Sequence, residues 1–200
     1  MSATTAHADP APTAELKVTG TLDVPACTVT AGDDGIYDYG DLNPTDILPG
    51  TAVKALPMIS KPWTIECTGD TYLSFKVVDN AMASRAVAAS ENFGLGMVNS
   101  TGRLGYFTLT MRNPKVNNAV SRAYATATTS IAPAAAVAVR QDNHTMGWAT
   151  TGANTQAIGS KFEADMEVIA TLAGSTTMNG PITDDVDLAG SLTLNFAYGL

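Results

Sequence analysis

The last stretch of the chain, Leu192, Thr193, Leu194, Asn195, Phe196, Ala197, Tyr198, Gly199 and Leu200, alternates apolar with small or polar residues. Successive side chains of a strand point to opposite faces, so Leu192, Leu194, Phe196, Tyr198 and Leu200 form one continuous apolar stripe. Residues 161–172 repeat the pattern more cleanly. Phe162, Ala164, Met166, Val168, Ala170 and Leu172 point one way, and Glu163, Asp165, Glu167 and Thr171 the other, with Ile169 the one exception. This is the pattern of a half-buried antiparallel strand. The terminal stripe is expected either to be buried in the chain's own sheet or to be offered to a partner.

Similar alternation recurs along the chain. Ala14, Leu16 and Val18 alternate with Glu15, Lys17 and Thr19, and Leu22 and Val24 keep the parity beyond Gly20. A short strand is predicted over residues 36–42, and residues 43–57, with three prolines and a glycine, read as a crossing loop with a weak edge segment. Residues 63–67 and 72–78 read as two strands of a hairpin turned by Gly69-Asp70. Residues 80–92 hold a helical turn or a loop. Strands follow at 103–112 and 120–128, and residues 131–139 read as a short helix or an edge strand. With 45% apolar and only 15% charged residues, the chain is too hydrophobic for disorder. About seven to nine strands and no convincing long helix predict an all-β fold, a two-sheet immunoglobulin-like Greek-key sandwich in one domain.

The chemistry-bearing residues are sparse. A net charge of −8, with 11 scattered basic residues, excludes nucleic acid and anionic membranes as main partners. His7 and His144 are the only histidines and no Gly-x-Ser-x-Gly elbow is present, so no catalytic residue, metal ligand or cofactor site is assigned. Asp33, Asp34, Asp38 and Asp41 do not match a calcium-loop spacing and read as solvated turn carboxylates. Gly94-Leu95-Gly96 reads as a turn, Trp63 as core, and the triplets beginning at Asn99 and Asn143 carry no weight. Cys27 and Cys67 are the only cysteines; in an oxidising compartment one bridge between them would close a loop of about 40 residues, worth about 4 kcal/mol in the chain-entropy model. Ala6-His7-Ala8 has the small-x-small form of a signal cleavage site, without an apolar stretch before it.

Several motifs together carry a family resemblance. Thr19-Gly20-Thr21-Leu22 leads to Cys27, an aspartate-glycine turn and Tyr39-Gly40-Asp41-Leu42 follow, and Trp63-Thr64-Ile65-Glu66-Cys67 supplies the second cysteine. This arrangement resembles the first half of chaperone-usher pilus subunits, which usually close on an alternating strand with an aromatic near its end, here Tyr198. Asp79-Asn80, Phe93-Gly94-Leu95-Gly96, Leu104-Gly105-Tyr106 and residues 184–191 look like the fimbrial-like branch of that superfamily, catalogued as a domain of unknown function. The resemblance covers about residues 14–200.

The resemblance implies an incomplete sandwich, lacking its last strand, whose open groove is filled first by a periplasmic chaperone. At the outer-membrane usher the N-terminal extension of a neighbouring subunit then replaces the chaperone. Residues 1–8 would be a remnant of a signal or of an added segment, 9–19 the donor extension and 20–200 the pilin-like domain. Pro12, Ala14, Leu16 and Val18 would enter the neighbour's groove. Leu192, Leu194, Phe196, Tyr198 and Leu200 would border this chain's own groove and meet the chaperone. A Cys27–Cys67 disulfide belongs to the same pattern. The implied role is a structural fimbrial subunit, periplasmic in transit and then on a Gram-negative cell surface. The alternatives are a tip or adaptor subunit that binds a surface or glycan, and a self-contained secreted binding protein.

Overall fold

The computed structural model describes residues 1–2, 13–21 and 23–198. Thirteen strands follow in chain order. The first four are β1 (Cys27–Ala31), β2 (Lys54–Ala55), β3 (Ile59–Asp79) and β4 (Phe93–Gly94). Then come β5 (Met97–Val98), β6 (Gly102–Arg103), β7 (Gly105–Val116), β8 (Ala119–Val120) and β9 (Arg122–Thr126). The last four are β10 (Ala136–Ala138), β11 (Thr145–Ala149), β12 (Ile158–Leu172) and β13 (Leu192–Tyr198). Short 3-10 turns at Gly32–Gly35, Pro44–Asp46 and Met82–Ser84 are the only helical segments among the described residues.

The fold is all-β and immunoglobulin-like, with antiparallel strands curled into two layers that share β3. The N-terminal half of β3 lies between β1 (Cys27 opposite Cys67) and β12 (Phe162 opposite Ile65). The other edge of β12 pairs with β7, and β7 continues to β10. The C-terminal half of β3 belongs to the second layer, between β13 (Phe196 opposite Phe75) and β11 (Met146 opposite Phe75), with β9 outside β11. The hairpin expected at Gly69-Asp70 is therefore absent. The chain does not reverse there; it passes from one layer to the other as a single strand.

The core fills the space between the layers as the period-2 pattern requires. Phe162, Ala164, Met166, Val168, Ala170 and Leu172 of β12 are all buried, as are Phe107, Leu109 and Met111 of β7. Trp148 of the second layer meets Phe162 of the first edge-on at 5.3 Å between ring centroids, and its indole N–H donates to the Glu163 carbonyl at 2.9 Å. Trp148 thus fastens the layers by both apolar and polar contact. Buried Asp79, at the end of β3, accepts hydrogen bonds from the backbone N–H groups of Ala81 and Gly94, which ties that corner to β4.

Of the two alternatives for residues 131–139, the edge strand forms, as β10. Two other segments differ from their patterns. Residues 36–42 form no strand ladder. Residues 14–24 keep their alternation yet, where described, lie in no strand and are exposed. Leu16 and Val18 are 84% and 89% exposed. Among the described residues the first hydrogen bonds to the sheet are made by Ala26, whose N–H donates to Thr68 Oγ1 and whose carbonyl accepts from the Thr68 N–H.

Candidate functional site

An open groove lies where β13 faces the inner side of the first layer. β13 pairs with β3 from Leu192 opposite Asp79 to Tyr198 opposite Leu73. Among the described residues no strand pairs with its other edge. Parity sends Leu192, Leu194 and Phe196 inward, where they pack partly buried against the core, while Thr193, Asn195 and Ala197 face solvent. Phe196 meets Phe75 at 5.5 Å between centroids. Tyr198 is 43% exposed. The terminal stripe is thus half-covered on its inner face and unpaired on one edge.

The opposite wall is the extended segment 36–42, which holds to the first layer through side chains rather than backbone. The Tyr37 hydroxyl donates to the Met166 carbonyl at 3.1 Å and accepts from Trp63 Nε1 at 3.2 Å. The Tyr39 hydroxyl donates to the Val168 carbonyl at 3.2 Å and accepts from the Ala170 N–H at 2.9 Å. Tyr37 thus contacts β12 within its ladder to β3, at Met166 opposite Lys61, whereas Tyr39 bridges the end of that ladder at Val168 opposite Ile59 and the Ala170 N–H beyond it. Burial pushes the Tyr37 phenol up to about 12, its bond from Trp63 opposing this, and burial likewise raises Tyr39. Both hydroxyls therefore stay protonated and able to donate at neutral pH.

Between these walls lies a cavity of about 390 Å³, floored by Trp63, Phe107, Leu109, Val168 and Ala170 and bordered by Leu192 and Leu194. Among the described residues no charged one lines it. One end is closed by a close approach: a Cβ on Gly190 would lie 2.9 Å from the Phe107 ring. Tyr37, Tyr39 and Leu188 also line a second cleft of about 630 Å³, floored by Leu104, Leu172 and Met178. Asp38, Asp41, Asp184, Asp185 and Asp187 stand around it, and among the described residues no lysine or arginine does. The two share Tyr37, Tyr39 and Leu188 and so form one trough, uncharged at the β13 end and acidic at the other. Extended backbone with unpaired hydrogen-bonding groups on both walls fits a strand better than a compact small molecule.

The remaining candidates from the sequence fall as follows. Cys27 and Cys67 are disulfide-bonded and join β1 to β3 where the N-terminal segment leaves the fold. Ala14, Leu16 and Val18 are exposed in that segment, and no described residue from 13 to 25 hydrogen-bonds to another described residue. Pro12, Leu22 and Leu200 lie outside the described residues. Trp63 is a partly buried groove residue, whereas Trp148 is fully buried. His144 contacts the Gln141 carbonyl through Nδ1 at 2.9 Å. Asp33 is ion-paired with Lys61. The Asn99 amide donates to the carbonyls of Met178, Gly180 and Pro181, a structural use of that triplet. Ile36 and Tyr37 of the groove wall were not singled out by sequence; the Tyr-x-Tyr spacing of Tyr37 and Tyr39, two inward steps of an extended chain, is the signal that marks the wall.

Residues 16–105 match the family model described as a protein of unknown function (DUF1120), a stretch that runs from the unpaired N-terminal segment through β1 and β3 to the first residue of β7. No curated protein and no solved structure matches the chain.

Proposed function

We propose that this chain is a structural subunit of a cell-surface fimbria that completes its fold by accepting a strand from another polypeptide. The observation that carries the reading is β13: an apolar strand paired on one edge only, beside an uncharged groove bounded on the far side by backbone that forms no ladder. A long unpaired apolar edge is an aggregation hazard unless something covers it. The exposed alternating segment before Cys27 has the form of a donor strand, since its apolar parity suits a strand and no described residue of the fold pairs with it. In this account a periplasmic chaperone covers the groove first and the exchange takes place at an outer-membrane usher, where a neighbouring subunit's extension takes the chaperone's place. The subunit then stands in a fimbria outside a Gram-negative cell.

The alternation is long enough to lie along the 7 residues of β13. It runs from Ala14 to Val24 with Gly20 in the middle, about 35 Å when extended, and among the described residues the first hydrogen bond to the sheet is at Ala26. The test appends a copy of residues 9–24 after Leu200 through a short flexible linker. Thermal unfolding is followed at about 1 M salt, where surface charge is screened. Tethering supplies an effective concentration of about 1 mM, and a donor of micromolar affinity then raises the melting temperature by about 10 °C. An appended copy carrying Leu16→Asp and Val18→Asp should give no rise. Equal melting of the unfused and fused chains would contradict the reading and leave a self-contained β-sandwich.

A further inference from the structure

We propose that the groove takes its strand from a different polypeptide, one that carries a lysine or arginine at the end meeting the acidic lip, in preference to the N-terminal segment of a second copy. This rests on the strand-acceptor reading and adds the partner's chemistry. Asp184, Asp185 and Asp187 lie within four consecutive residues and line the same cleft as Asp38 and Asp41, all five exposed. Among the described residues none of them is ion-paired. Carboxylates gathered at one end of an apolar trough repel one another, and a strand that brings a cation there relieves the repulsion as it docks.

The chain's own segment brings no such cation. Residues 9–24 contain Asp9, Glu15, Lys17 and Asp23. If the segment docks with its C-terminal end at the lip, Asp23 arrives there alone. If it docks the other way, Lys17 arrives beside Glu15, whose carboxylate lies 3.7 Å from its ammonium, and Asp9 adds a further negative charge. Neither direction supplies net positive charge, so a second copy is the poorer donor in both. The uncharged part of the groove imposes no such preference, because the inward apolar positions alone fill it.

The test uses the oxidised full chain and two fluorescently labelled synthetic peptides: residues 9–24 as they stand, and the same peptide with Glu15→Lys and Asp23→Lys, the apolar stripe unchanged. Binding is read by fluorescence anisotropy at about 0.05 M and about 1 M salt, where the screening length falls to about 3 Å. The expected result is about tenfold tighter binding of the basic peptide at low salt. That advantage should disappear at high salt and in a chain carrying Asp184→Asn, Asp185→Asn and Asp187→Asn. Equal binding of the two peptides at low salt would overturn the preference while leaving the groove reading intact. An advantage that persists in the triple variant would place the attraction in the overall charge of −8 and overturn the role of the lip. Failure of both peptides to bind at either salt would overturn the groove reading and this inference with it.

Discussion

Tyr37 and Tyr39 hold the far wall of the groove to the first layer. Two phenols, two residues apart, bond to the backbone of β12 at Met166, Val168 and Ala170. Their burial also sets a pH dependence. Tyr37 and Tyr124 are raised from 10.0 to about 12 and Tyr39 is raised in the same direction, in each case chiefly by burial. A folded-state value above the unfolded one means that the unfolded chain releases its protons first as pH rises. The stabilisation is thus complete below pH 10 and is lost as pH climbs toward about 12. Denaturant midpoints should be flat from neutral pH to about pH 9 and fall above pH 10, and Tyr37→Phe should make that fall shallower. A midpoint insensitive to pH in that range would show these phenols to be solvated.

Among the elements, β12 and β13 were legible in the sequence because each has one buried and one solvent-facing side, and period 2 records that asymmetry directly. β3 was harder to read. Gly69 and Asp70 have turn chemistry, yet the same residues also permit the bend of a strand that passes between layers, and Gly69 has open space around its Cβ position. Local composition does not distinguish a reversal from a bend. Residues 14–24 show the complementary limit, since alternation records the ability to pair and not the partner. β1 belongs with them as an edge: three of its five residues are exposed, so it buries little of its own. Its attachment relies on the ladder to β3 and on the Cys27–Cys67 bond, which spans 40 residues. Replacing both cysteines by serine should lower unfolding stability by about 2–4 kcal/mol. An unchanged denaturant midpoint would show that the ladder alone holds β1.

On the scale of the whole molecule, the two layers close on one another around Trp148 and Phe162, and of the strands with a free edge among the described residues, β13 is the one that borders the groove. The groove itself could not be read from the sequence, because an absent neighbour leaves no pattern in the strand that lacks it. What was legible was the stripe of Leu192, Leu194 and Phe196; its partial cover and its free edge emerge only once β3 has claimed the other side. The charge distribution follows the same geometry, with carboxylates distant in sequence at 38–41 and 184–187 brought to one end of the trough.

Amide hydrogen exchange across β13 reports whether its free edge accepts a strand, comparing the oxidised chain with the chain carrying residues 9–24 appended after Leu200. In an antiparallel strand alternate N–H groups point to opposite neighbours. If β13 is an acceptor edge, its amides directed away from β3 exchange rapidly in the chain alone and gain protection of about tenfold or more in the fusion. Slow exchange at every β13 amide in the unfused chain, or rates that the appended strand leaves unchanged, would contradict the acceptor role.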